Sequence, residues 1–136
     1  MRLQNKTALI TGAGSGFGAG IARKFASEGA QVLIADINAE AAQTIANEVG
    51  GIPCTVDVSK GDSVNAMIDV ALGELGHLDI VVNNAGVTHL PAPMDTISEE
   101  DFDRVFAVNC KSVYLIARAL TAHMKSRESG AILNVA

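Results

Sequence analysis

A short glycine-rich stretch is the part of this sequence whose residue types and spacing are best suited to chemistry. In "TALITGAGSGFG", residues 7 to 18, glycines occupy positions 12, 14, 16 and 18 directly after an apolar run. Glycine has no Cβ to hold a ligand away from the backbone, and the N–H groups that begin a helix attract phosphate. The P-loop pattern GxxxxGK[ST] fails because no Lys followed by Ser or Thr closes the stretch. The spacing favours a dinucleotide-binding turn, and a turn that only packs a helix against a sheet is the alternative.

Asp36 is the second residue with a chemical interpretation. It ends the apolar run "QVLIAD" about 20 residues after the glycines, where an acidic side chain can accept hydrogen bonds from both hydroxyls of an adenosine ribose. The alternative role is an N-terminal cap for the next helix, but Asn38 is already placed for that.

Asn109 is the third candidate, because its amide falls where an apolar side chain is expected. It is in step with Phe102, Val105, Phe106 and Val113, so a helix of regular period would turn it into an apolar stripe. A buried amide must find hydrogen-bond partners or destabilise the fold. Both a satisfied core amide and a functional amide are consistent with this position.

The cysteines and histidines do not form a metal-binding pattern. Cys54 and Cys110 have no CxxC spacing, and we expect both to be small buried side chains in a reducing compartment. The three histidines are scattered. We expect His77 and His123 to be surface or loop residues, while His89, in "GVTHLPAP", receives no role.

Short β-branched runs alternate with segments of helical spacing around these candidates. Such runs are typical of strands buried on both faces, and they predict strands at residues 7–11, 31–36, 52–56, 79–83 and 131–135. The intervening segments predict four helices, the first of which ends at Gly29.

The ends of the other three helices are marked by capping residues. Asn38 is predicted to cap the second helix, which ends at Gly50 and Gly51. Capping boxes of Ser59 with Asp62 and of Ser98 with Asp101 predict the starts of the third and fourth helices. The fourth helix is predicted to be the longest, running without interruption to about residue 127.

This order of elements predicts the fold class and the place of the ligand. Alternating strands and helices imply right-handed crossovers and an α/β, doubly wound parallel sheet. Residues 1–136 contain no linker or repeat and are predicted to form a single domain. Such a sheet binds its ligand at the carboxyl ends of the strands, where the glycine stretch lies.

The sequence resembles the short-chain dehydrogenases/reductases, a family with a Rossmann fold. "TGAGSGFG" matches the family pattern TGxxxGxG at Thr11, Gly12, Gly16 and Gly18, and "NNAG" at residues 83–86 matches the second signature. The resemblance covers the whole chain. It implies an NAD(P)-binding domain and an oxidoreductase that moves a hydride between a nicotinamide cofactor and a small-molecule carbonyl or alcohol substrate.

The resemblance also implies a role for each matching residue. It assigns the pyrophosphate to the turn of residues 15–18, the adenine to Asp57 and Val58, and the cofactor's ribose region to residues 84–86. Asn83 would tie neighbouring strands together, and Asn109 would be the first member of a catalytic tetrad, holding a water in a proton relay. The implied cofactor-binding residues are Gly12, Ser15, Gly16, Phe17, Gly18, Asp36, Ile37, Asp57, Val58, Asn84, Ala85 and Gly86.

Charge at the adenosine end predicts NAD rather than NADP. Asp36 would face the 2′-phosphate of NADP, and Ser15 and Ile37 stand where NADP-preferring relatives usually carry a basic residue. Unpaired like charges repel, so the carboxylate should exclude that phosphate.

The family's catalytic Ser, and the YxxxK pair that would follow it, do not occur in these residues. Tyr114 is the only tyrosine, and Arg118 rather than Lys lies four positions on. We therefore expect a fragment truncated after the fifth strand, inactive alone and prone to associate through that strand or the fourth helix. The alternatives are a non-catalytic dinucleotide-binding module, a 3-oxoacyl-thioester reductase-like enzyme at full length, and an unrelated doubly wound domain that binds another nucleotide.

Composition narrows the partners. The net charge of −5 and the lack of a basic stripe argue against nucleic acid. No uninterrupted apolar run reaches the roughly 18 residues of a membrane span, and no secretory signal is present, so we expect a cytoplasmic protein without a membrane partner. The resemblance adds a homo-oligomer, dimer or tetramer.

Overall fold

The computed structural model describes all residues from Met1 to Ala136, and strands alternate with helices along the chain. The strands are β1 Thr7–Thr11, β2 Gln31–Asp36, β3 Ile52–Thr55, β4 Ile80–Asn83 and β5 Ala131–Asn134. The helices are α1 Gly16–Ser27, α2 Ala39–Val49, α3 Gly61–Leu75, α4 Glu99–Phe106 and α5 Ser112–Arg127. A 3₁₀ turn, Met94–Thr96, precedes α4, and a π-turn, Ala107–Lys111, joins α4 to α5.

The five strands form one parallel sheet in the order β3-β2-β1-β4-β5. The predicted α/β, doubly wound Rossmann fold is confirmed. Successive crossovers run outward from β1 in one direction to β3, and the chain then returns to place β4 on the other side of β1. The order of the strands therefore reverses between β1 and β4, and a crevice at their carboxyl ends is the expected ligand site.

Both faces of the sheet are covered by helices. Side chains alternate along β1, so Leu9 packs with residues of α3 and α5 while Ile10 packs with residues of α1 and α2. The same alternation occurs at the neighbouring strands, through Leu33 and Ile34 of β2 and Val81 and Val82 of β4. The central strands are thus buried on both faces as predicted, which fixes their register and the positions of the loops that follow them.

Two of the three predicted helix caps are confirmed. The side chains of Asn38 and Ser98 accept hydrogen bonds, each of 3.0 Å, from the N–H groups of Ala41 and Asp101. The predicted capping box of Ser59 with Asp62 is wrong, because the Ser59 hydroxyl donates to Asp57 Oδ1 instead and α3 begins after Lys60 without a side-chain cap.

The predicted uninterrupted fourth helix is also wrong. The π-turn Ala107–Lys111 inserts about one extra residue, which rotates the following helix by about 100° relative to a regular period. The supposed buried stripe is therefore broken, and Phe102 and Phe106 are 57% and 52% exposed and stack on each other with ring centroids 4.7 Å apart.

The outer strands differ from the expectation of burial on both faces. Every residue of β5 is exposed, and β3 is only partly buried. Pro53 lies in β3, at the edge of the sheet, where a missing backbone N–H is tolerated.

The two cysteines differ in their exposure to solvent. Cys54 is half-buried, and burial raises the pKa of its thiol. Cys110 lies in the π-turn and is exposed, so its predicted burial is wrong.

The helical segment from Glu99 to Arg127 is long and apolar enough to cross a membrane by length and composition, a criterion that core helices also meet. The absence of a membrane partner stays a prediction.

Candidate functional site

A groove of about 400 Å³ lies at the carboxyl ends of the central strands, where the strand order reverses. It brings together all of the predicted cofactor-binding residues except Gly18. The lining residues are Gly12, Ser15, Gly16, Phe17, Asp36, Ile37, Val56, Asp57, Val58, Asn84, Ala85, Gly86, Val87 and Val108.

Gly12 and Gly16, in the turn between β1 and α1, both have left-handed backbone conformations but differ in the space around them. Gly12 has a φ of +63°, and a Cβ there would lie 2.9 Å from the Cα of Ala85. Gly16 has a φ of +54°, but a Cβ there would meet nothing within 4 Å. At Gly12 the conformation and the close approach of the β4 loop both exclude a side chain, whereas at Gly16 only the conformation favours glycine.

The start of α1 offers free backbone donors to the groove. The first N–H groups of a helix have no acceptor within the helix, and Ser15, the N-cap residue, makes no side-chain capping bond. Lys24 is a basic residue in the last turn and no acidic residue lies in the first turn. The start of α1 therefore suits an anion such as a pyrophosphate.

Gly18 lies behind the turn rather than on the groove. A Cβ there would collide with the Gly12 carbonyl group and lie 2.6 Å from Nδ2 of Asn84. Gly18 thus permits α1 to pack closely on the turn, which is the packing role that the sequence left open for the whole glycine stretch.

The Asp36 carboxylate is held at the end of β2 by two backbone donors. The N–H of Gly14 donates to Oδ2 at 2.9 Å, and the N–H of Asn38 donates to Oδ1 at 3.0 Å. Asn38 caps α2 as predicted, so Asp36 is not the helix cap. Each carboxylate oxygen has a second lone pair, so the fixed carboxylate can still accept two hydroxyl groups of a ligand.

Asp57 and Val58 follow β3 on the same side of the groove. The hydroxyl and the N–H of Ser59 donate to Oδ1 of Asp57 at 2.6 and 3.0 Å. The Ser59 hydroxyl is the main reason that the pKa of Asp57 lies below its usual value. The carboxylate is therefore charged and rigid, beside the buried Val56 and Val58.

The loop after β4 is tied to the glycine turn by side-chain hydrogen bonds. Thr11 Oγ1 accepts the N–H groups of both Asn84 and Ala85 at 3.1 Å. Asn84 Nδ2 donates to the carbonyls of Thr11 and Gly12 at 3.1 and 3.2 Å. Asn83 bridges β4 to β5 through a 2.8 Å bond from Nδ2 to Asn134 Oδ1, which agrees with its expected role between strands.

Asn109 lies in the π-turn and is exposed, so the expectation that its amide points into a buried apolar stripe is wrong. Its side chain pairs with the backbone of Val87 in the groove wall. Oδ1 accepts the Val87 N–H and Nδ2 donates to the Val87 carbonyl, each at 2.8 Å. Tyr114 and Arg118 are bonded only to each other on the surface, at 3.3 Å.

A second polar cluster, which the sequence did not reveal, lies at the opposite end of the sheet. The buried Asp79 carboxylate accepts hydrogen bonds from the Thr7 N–H and from Arg127, and His77 Nε2 lies 3.2 Å from its Oδ2. His123 Nε2 accepts the N–H of Leu78 at 3.2 Å. His77 lies in a loop, as predicted, whereas His123 is half-buried in α5 and so differs from the expected surface or loop position.

The other histidine and possible metal ligands add no chemistry to the groove. His89 Nδ1 lies 2.8 Å from the carbonyl of Leu90, in the loop beyond the groove. No group of three or more His, Cys, Asp or Glu side chains is arranged to hold a metal ion.

The groove residues that sequence reasoning missed are mostly apolar or lack a side chain. Val56, Val87 and Val108 line the groove. Gly14 lies outside the groove lining, and its N–H donates a hydrogen bond to Asp36. For Val56, its position directly before Asp57 was an available signal.

Comparison with known proteins agrees with this geometry. A family model described as short chain dehydrogenase matches residues 6–136. 4-Formylbenzenesulfonate dehydrogenase from Comamonas testosteroni is 46% identical over 143 residues, covering 100% of this chain and 56% of that protein. The 3-oxoacyl-[acyl-carrier-protein] reductase of Thermotoga maritima is 36% identical over 140 residues, covering 99% of this chain and 56% of that protein.

A solved structure is similar over the same region. The crystal structure of 3-ketoacyl-(acyl-carrier-protein) reductase from Brucella melitensis, complexed with NADH, has a TM-score of 0.95 and 44% identity. The similarity covers 98% of this chain and 58% of that one. The chain therefore spans little more than half the length of these relatives.

Proposed function

The chain belongs to the short chain dehydrogenase family, and from this membership we propose that it is the dinucleotide-binding part of an NAD-dependent oxidoreductase. In this proposal the protein moves a hydride between the nicotinamide and the carbon of a small carbonyl or alcohol substrate. The groove at the ends of β1, β2 and β4 holds the cofactor.

The observation that carries the proposal is the fixed Asp36 carboxylate at the adenosine end of the groove. Its two oxygens are positioned by the N–H groups of Gly14 and Asn38, and each can accept one ribose hydroxyl of NAD. The 2′-phosphate of NADP would bring negative charge against this carboxylate, and no basic side chain lines the groove to compensate. Both effects favour NAD over NADP.

The remaining groove residues fit the rest of a dinucleotide. The start of α1, with Gly16 leaving open space, suits the pyrophosphate. Asp57 and Val58 would hold the adenine. Phe17 and Ile37 are 85% and 71% exposed in the groove wall, and a bound dinucleotide would cover part of this apolar surface.

Catalysis in this proposal needs residues beyond those that bind the cofactor. The nicotinamide supplies or accepts the hydride when bound. Asn109 contributes by holding the groove wall at Val87 and by supporting a water in the proton relay that the family resemblance implies. The Ser, Tyr and Lys of that relay are not among residues 1–136, and we propose that the enzyme supplies them elsewhere.

The substrate and the partners are proposed only as classes. The relatives' names indicate a formyl group in one case and a 3-oxoacyl group on a carrier protein in another, so a carbonyl group is what these substrates share. We propose a carbonyl or alcohol compound as the substrate class. Exposed Phe102, Phe106 and Tyr114 on α4 and α5 are consistent with a homo-oligomer. Neither nucleic acid nor a membrane is a proposed partner, and the proposed location is cytoplasmic.

Calorimetric titration of the chain with NADH and NADPH tests the cofactor proposal. We expect NADH to bind at least about tenfold tighter, and Asp36→Ala to reduce this preference, because two charge-assisted hydrogen bonds are lost. Asp103→Ala is the matched control, since it removes the same charge from an exposed position on α4. Equal affinities for the two nucleotides would contradict the NAD assignment.

An NAD-linked activity assay separates the enzyme from a binding module. Binding of NADH together with carbonyl reduction or alcohol oxidation, in a form that contains the Ser, Tyr and Lys, is the expected result. Binding without turnover in that form would instead favour the non-catalytic module, and no binding of either nucleotide would favour an unrelated doubly wound domain.

A further inference from the structure

Gly14 is in the glycine turn but does not line the groove. Its N–H donates to Asp36 Oδ2 at 2.9 Å. A Cβ at this position would lie 2.9 Å from both Cγ and Oδ2 of Asp36 and 2.8 Å from the Cβ of Ala41. A side chain at Gly14 would therefore point toward the Asp36 carboxylate and α2, and not into the space available to a ligand.

The absence of a side chain at Gly14 is a matter of space rather than conformation. Gly12 and Gly16 have positive φ values, whereas Gly14 does not. Alanine could adopt the backbone conformation of Gly14, but it would need the Asp36 carboxylate or Ala41 to move. Ala41 is fixed in the first turn of α2, where its N–H is bonded to the Asn38 cap. The carboxylate, which ends a short rotatable side chain, is the group that would move.

The Asp36 side chain is thus held in place by three elements. The Gly14 N–H contacts it from the turn after β1, the Asn38 N–H contacts it from the start of α2, and its own backbone is fixed in β2. A side chain at position 14 would displace the carboxylate and break its hydrogen bond from the Gly14 N–H.

We propose that Gly14 is a positioning residue that sets the preference between NAD and NADP by fixing the Asp36 carboxylate. This inference rests on the proposed function, because it assumes that the groove binds a dinucleotide with the adenosine ribose at Asp36. It differs from the general explanation for a second glycine in such turns, which is close approach of the backbone to the pyrophosphate. That explanation would make Gly14 equally important for both nucleotides.

The test compares Gly14→Ala with Gly20→Ala by calorimetric titration of the whole chain with NADH and NADPH. Gly20 lies in α1, and a Cβ there would meet nothing within 4 Å, so it is a matched glycine-to-alanine control. We expect Gly14→Ala to weaken NADH binding by about tenfold with a smaller effect on NADPH, which narrows the ratio of the two affinities. Gly20→Ala should leave that ratio unchanged. An unchanged ratio in Gly14→Ala would overturn the proposal.

A double-mutant cycle identifies Asp36 as the group through which Gly14 acts. In the Asp36→Ala background, Gly14→Ala should have no further effect on the affinity ratio, because the displaced carboxylate is already absent. If Gly14→Ala instead weakens both nucleotides equally in both backgrounds, the residue acts at the pyrophosphate and the proposal is wrong. If the unaltered chain binds neither nucleotide, the proposed function itself fails.

An NMR measurement on the unaltered chain does not depend on the folding of a variant. A scalar coupling across each hydrogen bond should be detectable from the amide nitrogens of Gly14 and Asn38 to Cγ of Asp36, because both amides donate to this carboxylate. The coupling from Asn38 serves as the reference. A coupling from Asn38 without one from Gly14 would show that the Gly14 contact does not exist in solution and would overturn the proposal.

Discussion

The side-chain amide of Asn109 pairs with the peptide groups of Val87 through two hydrogen bonds of 2.8 Å, one donated and one accepted. This pair joins the π-turn between α4 and α5 to the loop that follows β4. Because Val87 and Val108 both line the groove, the Asn109 side chain fixes the wall against which the cofactor is proposed to bind.

Asn109→Ala should therefore weaken NADH binding as well as reduce turnover. Loss of both hydrogen bonds frees the Val87 segment, and we expect an affinity loss of about tenfold, measured by calorimetry. Asn109→Asp keeps an acceptor for the Val87 N–H but places an oxygen against the Val87 carbonyl, so it should not restore the affinity. Asn47→Ala, on the exposed face of α2, is the control. Unchanged NADH affinity in Asn109→Ala would contradict a role in the groove wall.

Gly12 and Gly16 provide a matched pair for the stability of the turn. Both have positive φ values, so alanine at either position should reduce the free energy of unfolding by about 1 kcal/mol from backbone strain. Gly12→Ala adds a collision with the backbone of Ala85, and we expect a total loss of about 3 kcal/mol. Urea unfolding measures both values. Equal losses for the two variants would show that the β4 loop does not press on Gly12.

The sequence was sufficient to predict the elements whose signals are local. The alternating apolar runs, the Asn38 and Ser98 caps and the Gly12 and Asp36 positions follow from short patterns, and the structure contains each of them. These features depend on residues a few positions apart or on the ends of strands in a common sheet, which is why a single sequence reveals them.

The features that sequence reasoning missed depend on choices between competing contacts. Ser59 has two acidic neighbours, and its bond to Asp57 replaces the expected capping box with Asp62. The π-turn changes the helical period, so the regular spacing that placed Asn109 inside the protein does not apply. Cys110, which was expected to be buried as a free cysteine, is exposed in the same turn. The Leu78 partner of His123, and the Thr7 and Arg127 partners of Asp79, lie tens of residues away along the chain, and no local pattern indicates them.

The Asp79 cluster predicts how stability depends on pH. Burial alone would raise the pKa of Asp79, but the Thr7 N–H, the Arg127 guanidinium and His77 together hold it below its usual value. A lowered pKa in the folded state means that the carboxylate stabilises the fold above the unfolded pKa of about 3.9. This contribution is lost as the pH falls below that value and through the folded pKa.

Asp79→Asn should accordingly cost about 2 kcal/mol of unfolding free energy at pH 7, because it removes the charge that strengthens the hydrogen bonds from Arg127 and the Thr7 N–H. Between about pH 4 and about pH 3, the stability of this variant should also fall less than that of the unaltered chain, because the variant lacks the carboxylate that becomes protonated. Glu48→Gln is the control, since its carboxylate pairs with Arg23 on the exposed surface and should contribute little. An identical acid profile for Asp79→Asn and the unaltered chain would refute this explanation.

The most direct test of the central claim is a crystal structure of the chain with NADH bound. We expect the adenosine ribose hydroxyls to lie about 2.6–3.2 Å from the two oxygens of Asp36. We also expect the adenine beside Asp57 and Val58 and the pyrophosphate at the start of α1. Electron density for the nucleotide outside this groove, or with its adenosine ribose away from Asp36, would contradict the proposed binding mode.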